Sequence, residues 1–180
     1  RDVTADRRAQ VELLEAKSAA AMRLWEAGRA APYPRAVELV RALHRLGLDV
    51  AEGKLSIDDR VMSHFPSDAP PAPSEHLQSM RVRDLLTMST GHQDEPPTSP
   101  DQVSVRSFLA MPVPHKPGTH FKYNTAATFM LSALVQKVTG QTVADYLRPR
   151  LFEPLGIERP VWDTNFQGIS LGGYGLRVRT

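Results

Sequence analysis

Cysteine is absent from the 180 residues. That excludes a disulfide scaffold, a thiolate nucleophile and a Cys-ligated zinc site, and it fits either redox compartment. No apolar run approaches the ~20 residues needed to cross a bilayer. A strong charge of one sign is also missing: 22 Lys+Arg stand against 20 Asp+Glu, for a net charge of +2. A dedicated nucleic-acid binder would carry a basic patch or stripe, so that class is not expected. Lysine is scarce, with 5 Lys against 17 Arg. Arg1 to Gln10 is charged and leads into no apolar signal core, so an export signal would have to lie outside these residues. What is present is ordinary for a globular protein: 41% hydrophobic and 23% charged residues. The length suits one compact domain or a piece of a larger one.

Three zones follow along the chain. Residues 1–53 read as helical, with Val11, Leu14, Ala21 and Trp25 on one face and Leu39, Leu43, Leu46 and Val50 on another. Gly28 and Pro32-Tyr33-Pro34 separate the two stretches. Residues 54–120 are punctuated by proline, with loops at Ser67–Ser74 and Pro96–Pro100 and short helices expected at 57–65, 81–88 and 102–110. In 121–180, Ala127, Met130, Leu131, Leu134, Val135 and Val138 follow a helical period. Gly140 ends that helix, and Thr142 with Asp145 forms a capping-box-like start for the next, which stops at Pro154-Leu155-Gly156. The alternation of Leu176 and Val178 with Arg177 and Arg179 predicts a half-buried strand.

Several motifs have a plain structural reading beside a functional one. Gly168-Ile169-Ser170-Leu171-Gly172 matches the G-x-S-x-G nucleophile elbow. No helix pattern follows it, and all six His precede Ser170, so a glycine-rich strand entry is expected instead. His92, which precedes Asp94 and Glu95, and the turn-flanking His115 and His120 show no zinc-binding spacing and read as solvated loop histidines. Arg148, Arg150, Arg177 and Arg179 read as solvated faces rather than a nucleic-acid surface. The turn from Pro117 to Lys122 delivers Tyr123 to the start of the periodic helix. A phenol there serves proton transfer if cations lower its pKa from ~10, and otherwise packs over the helix entry with its hydroxyl in water.

Four runs in order resemble one family. Ala51-Glu52-Gly53-Lys54-Leu55-Ser56-Ile57-Asp58-Asp59-Arg60-Val61 resembles the end of the nucleophile helix, and the loop after it, in serine β-lactamase-related hydrolases. Arg81-Val82-Arg83-Asp84-Leu85-Leu86-Thr87-Met88-Ser89-Thr90-Gly91-His92 is similar to their R-DLL-T-SG element. Phe121 to Gly140 resembles their tyrosine segment, and Leu151-Phe152-Glu153-Pro154-Leu155-Gly156-Ile157 the segment that follows. The family comprises class C β-lactamases, penicillin-binding DD-peptidases and esterases. The resemblance covers about residues 48–180 and implies an α+β fold: part of the β-lactamase/transpeptidase-like fold, mostly its helical region, with one or two strands. Residues 1–47 form a helical segment without the resemblance.

The resemblance also sets a chemical expectation. The family uses Ser-x-x-Lys, where one helical turn brings the amine beside the hydroxyl, then Tyr-x-Asn, then Lys-Thr-Gly or a His variant. None of the 12 serines is followed by Lys three residues on, and Lys-Thr-Gly does not occur. The nucleophile should fall near residue 36, where the chain reads Pro34-Arg35-Ala36-Val37-Glu38. Tyr123 matches the family tyrosine, a proton relay; Thr125 stands in the usual Asn place and Asn124 one place early, and these two are the substrate-binding candidates. The expectation is therefore a fragment or degenerate serine hydrolase, inactive as this chain, whose parent reaction is acyl transfer from a β-lactam, peptide or ester. The alternative is a non-catalytic helical domain that binds a ligand or protein. The resemblance implies no cofactor, no metal, a small acyl substrate and a periplasmic or secreted setting; oligomeric state is left open. Residues 1–47 carry the Arg- and Ala-rich composition of GC-rich DNA read out of frame, so a frame change or substituted N-terminal part is a further expectation.

Overall fold

A computed structural model describes residues 55–153 and 156–179. The helical stretches expected in 1–53 and the stop at Pro154-Leu155 lie outside the described residues. The helices are α1 (Val61–His64), α2 (Glu75–Ser79), α3 (Val82–Leu86), α4 (Val105–Leu109), α5 (Thr125–Thr139) and α6 (Val143–Leu147). A 3-10 turn at Pro66–Asp68 follows α1, and a π-helical turn at Arg148–Phe152 follows α6. The strands are β1 (Glu158–Trp162) and β2 (Leu176–Arg179), paired antiparallel. The expected helices at 57–65, 81–88 and 102–110 are present but shorter, trimmed to α1, α3 and α4. Helix α2 was not anticipated; Ser74 starts it by accepting the Leu77 N–H at 3.2 Å.

Helix α5 is the organising element. Its buried residues include Ala126, Phe129, Met130, Ala133 and Leu134, an i, i+3, i+4, i+7, i+8 stripe. That stripe is rotated from the expected one: Phe129 and Ala133 are core, whereas Leu131, Val135 and Val138 are only partly buried. Alanine at 126, 127 and 133 presents a shallow surface, so neighbouring helices approach closely enough for Val82, Leu85, Phe108 and Leu109 to fill the same core. Full burial of each large side chain, such as Leu134, contributes roughly 1.5–3 kcal/mol. Gly140 closes the helix with φ 73°, the left-handed conformation that a side chain disfavours. At α6, Thr142 Oγ1 accepts the Asp145 N–H at 3.1 Å. The carboxylate of Asp145 answers by accepting the Thr142 hydroxyl at 2.7 Å, so the reciprocal bond of a capping box goes to a side chain instead of the backbone.

The two strands pair Val161 with Arg177 and Trp162 with Leu176, with a bulge between Glu158 and Val161. Arg159 takes up the irregularity with φ 47°. The expectation of a half-buried β2 is corrected here. Leu176 and Val178 are 41% and 43% exposed, and among the described residues the sheet has only two strands. The loop between the strands is nevertheless anchored. Asn165 is buried, donates to the Val103 carbonyl at 3.0 Å and accepts from Gln167 N–H and Ile169 N–H. Gly172 then passes so close to α5 that an added Cβ would lie 2.4 Å from the Thr128 carbonyl oxygen.

Candidate functional site

The turn that carries Tyr123 is built by two segments lying side by side. Backbone bonds run from His115 N–H to the Gly91 carbonyl (3.1 Å), from Gly118 N–H to Ser89 (2.8 Å) and from Lys122 N–H to Met88 (2.9 Å). Residues 88–91 thus act as a rail for 115–122 and fix where the chain enters α5. At the entry, Asn124 is fully buried and its Oδ1 accepts the Ala127 N–H at 3.1 Å. It satisfies one of the amides that a helix start leaves without a partner. Its Nδ2 donates to Thr90 Oγ1 at 3.4 Å, and Thr90 Oγ1 stands 2.9 Å from His92 Nδ1. A buried polar chain of three residues therefore underlies the tyrosine turn.

His92 departs from the reading of a solvated loop histidine. It is 0% exposed, and its ring meets Phe108 edge-on at 4.7 Å. Among the described residues its Nε2 makes no hydrogen bond of good geometry. Burial holds its pKa below the usual histidine value, partly offset by the Phe108 backbone. The neutral ring fits the apolar side of the cluster and Thr90 fits the polar side. A neighbouring threonine hydroxyl and a tertiary phenylalanine contact make this site, and no local pattern announces either.

Tyr123 itself is 63% exposed. Thr125 is half-buried, and its N–H donates to Glu95 Oε1 at 2.7 Å. A carboxylate at the start of α5 is favoured by the helix dipole. Glu95 is a residue that sequence reasoning passed over except as a neighbour of His92. The structure brings Tyr123, Asn124, Thr125 and Glu95 together at one helix end. It gives Asn124 a capping role and leaves Tyr123 facing outward.

The other candidates are dispersed. Ser170, centre of the G-x-S-x-G match, is 1% exposed, bridges to Thr164 and has an Oγ without a partner. It is enclosed, with no helix after it, which is the geometry of a strand approach. His115 and His120 stack at 4.4 Å, and His115 Nε2 lies 2.8 Å from Gln93 Oε1. Among the described residues no three His, Asp or Glu side chains converge as metal ligands. Arg177 makes a two-point pair with Asp163 at 2.6 and 3.0 Å, and Arg150 lies over the Tyr146 ring at 4.1 Å. Arg148 lies 3.5 Å from Asp145. These side chains are engaged locally.

With this geometry in place, comparison with known proteins is informative. The Beta-lactamase family model matches residues 39–169. The chain belongs to the β-lactamase family. A protein of Escherichia coli (strain K12), named "Putative D-alanyl-D-alanine carboxypeptidase", is 26% identical over 132 residues, covering 66% of this chain and 30% of that protein. An N-acetylmuramyl-L-alanine amidase of Bacillus subtilis (strain 168) is 24% identical over 139 residues, 68% of this chain and 30% of its own. The chain thus spans less than a third of the length of these curated relatives. The crystal structure of a β-lactamase/D-alanine carboxypeptidase from Pseudomonas syringae superposes with a TM-score of 0.53 at 17% identity, over 71% of this chain and 42% of that one. That likeness concerns the fold: the helices and the two-stranded sheet form part of the α+β arrangement of β-lactamases and penicillin-binding proteins. The chain is related by descent to the β-lactamase family, and any activity of its own is a separate matter.

Proposed function

We propose that this chain is a degenerate or partial β-lactamase-family hydrolase that forms no acyl-enzyme of its own. The parent reaction is acyl transfer from a β-lactam, peptide or ester. The observation that carries this reading is the serine inventory: among 12 serines none begins Ser-x-x-Lys, and the family match starts at residue 39, just after the place near residue 36 where it belongs. Without the nucleophile its covalent pathway is closed, whatever binding remains. Tyr123 is proposed as the counterpart of the family tyrosine. Asn124 holds that turn through the helix cap and Thr125 flanks it, in the place of the usual substrate-binding amide. With no Ser-x-x-Lys in the sequence, the phenol has no lysine-activated serine to serve. We also propose that the clear sequence resemblance starts near residue 48, with 1–47 a segment of different origin, although the family match itself begins at residue 39.

The second reading is a non-catalytic domain that binds a ligand or protein. The exposed apolar side chains of the hairpin, Val161 (52%) among them, favour it. Labelling with a fluorescent penicillin, together with a chromogenic cephalosporin and an ester substrate, tests the first reading. No adduct and no turnover are expected. A stable adduct or turnover that survives Tyr123→Phe would overturn it.

A further inference from the structure

An isolated antiparallel bridge joins Arg60 directly to Arg81. It is held by Val61 N–H to the Met80 carbonyl at 2.9 Å and Val82 N–H to Asp59 at 3.0 Å. Directly opposed residues of an antiparallel pair project to one side with Cβ atoms about 4.5–5.5 Å apart, and like charges so placed oppose the pairing. The fold therefore imposes a repulsion that its sequence does not avoid. Arg83, two residues on, and Lys116, from the turn before Tyr123, face the same cavity of about 460 Å³, with Gly118 in its wall.

The charges around this cavity do not balance. Among the described residues four cations line it, and Asp84 is the one lining carboxylate. Asp84 is 6% exposed, and one of its oxygens accepts the Arg81 N–H at 2.8 Å. Burial raises its pKa, against the Arg81 N–H and the charges of Arg83 and Arg81. Outside the cavity, the Asp58 carboxylate pairs with Arg83 and lies 3.8 Å from Arg81, so one anion serves two guanidinium groups. Among the described residues no carboxylate lies within ion-pair distance of Arg60 or Lys116.

We propose that this cavity binds a free, compact, multivalent oxyanion of the diphosphate kind. Guanidinium forks match phosphate oxygens two at a time, and the ammonium of Lys116 adds a point charge. A bound oxyanion would turn the repulsion between Arg60 and Arg81 into shared attraction, so occupancy stabilises the fold. Tyr123, Asn124 and Thr125 are not among its lining residues, and the proposal does not depend on the proposed function.

Calorimetric titration of the chain with pyrophosphate, at fixed ionic strength and without divalent metal, tests this. Saturable 1:1 binding is expected, weakened at least tenfold in the double variant Arg60→Gln, Lys116→Gln. Arg106→Gln, which removes an exposed arginine beside Asp68, should leave binding unchanged. Arg60→Gln alone should raise the thermal midpoint without ligand, since it removes the repulsion, and should shrink the further rise that pyrophosphate produces. Absence of saturable binding, or equal weakening by Arg106→Gln, would overturn the proposal. So would binding to vesicles of anionic phospholipid with none to pyrophosphate.

Discussion

Asn124→Ala is the sharpest test of how the tyrosine turn is held. It removes the acceptor of the Ala127 N–H at 3.1 Å and the donor to Thr90 Oγ1 at 3.4 Å. Loss of an N-cap costs about 0.5–2 kcal/mol. The bond to Thr90 is long and adds roughly 0.5 kcal/mol, the low end for a hydrogen bond. The Ala127 N–H also reaches the Asn124 backbone carbonyl at 3.1 Å, which the variant keeps, so the cap cost falls near the middle of its range, about 1 kcal/mol. The sum is about 1.5 kcal/mol. With m of about 1–3 kcal/mol per molar urea, the unfolding midpoint should fall by about 1 M. Urea titration followed by circular dichroism at 222 nm reads it. Asn124→Ser keeps a cap acceptor without burying a charge, so it should cost clearly less. A loss under ~0.5 kcal/mol for the alanine variant, or equal losses for the two, would refute the capping argument.

The remaining predictions concern burial and close approach. Because the pKa of His92 is lowered in the folded chain, the unfolded chain takes up this proton first as pH falls. Stability from the neutral ring is complete above ~6.5 and declines as pH falls from there toward the lowered folded value. His92→Gln should flatten the fall in urea-measured stability between pH 7 and pH 5, by at most about 1.4 kcal/mol per pH unit; an unchanged slope would count against the assignment. Gly172→Ala meets both a φ of 78° and the Thr128 carbonyl at 2.4 Å, while Gly168→Ala meets a φ of 77° and open space. The second should lose about 1–2 kcal/mol from backbone strain alone, and the first distinctly more, read by thermal unfolding.

Much of the helical architecture is legible in the chain because its causes are local. The periodicity of α5, the glycine at its end and the threonine that opens α6 all act within four residues of one another. The exact core face of α5 is less legible. Phe129 and Ala133 face inward because α3 and α4 pack on that side, and only the tertiary arrangement sets that side. Strand β1 escapes notice because Pro160 and the left-handed Arg159 break the alternation that marks a strand. Near Tyr123 the sequence marks the tyrosine but not its support. Thr90 and His92 are 34 and 32 residues away from Asn124 in the chain, and their partnership exists only after the rail of 88–91 has docked. The opposition of Arg60 and Arg81 is hidden for the same reason: it is a pairing across 21 residues.

The supports at the two ends of α5 differ in how far the chain must travel to assemble them. Gly140 terminates the helix within its own turn, whereas the tyrosine end also uses Thr90 and Glu95, bonded across 34 and 30 residues. Closing those loops costs chain entropy before the contacts return any stabilisation. The carboxyl-terminal half of α5 is therefore equipped to form early and on its own, and the end that presents Tyr123 gains its full set of contacts only once the rest of the core has closed around it.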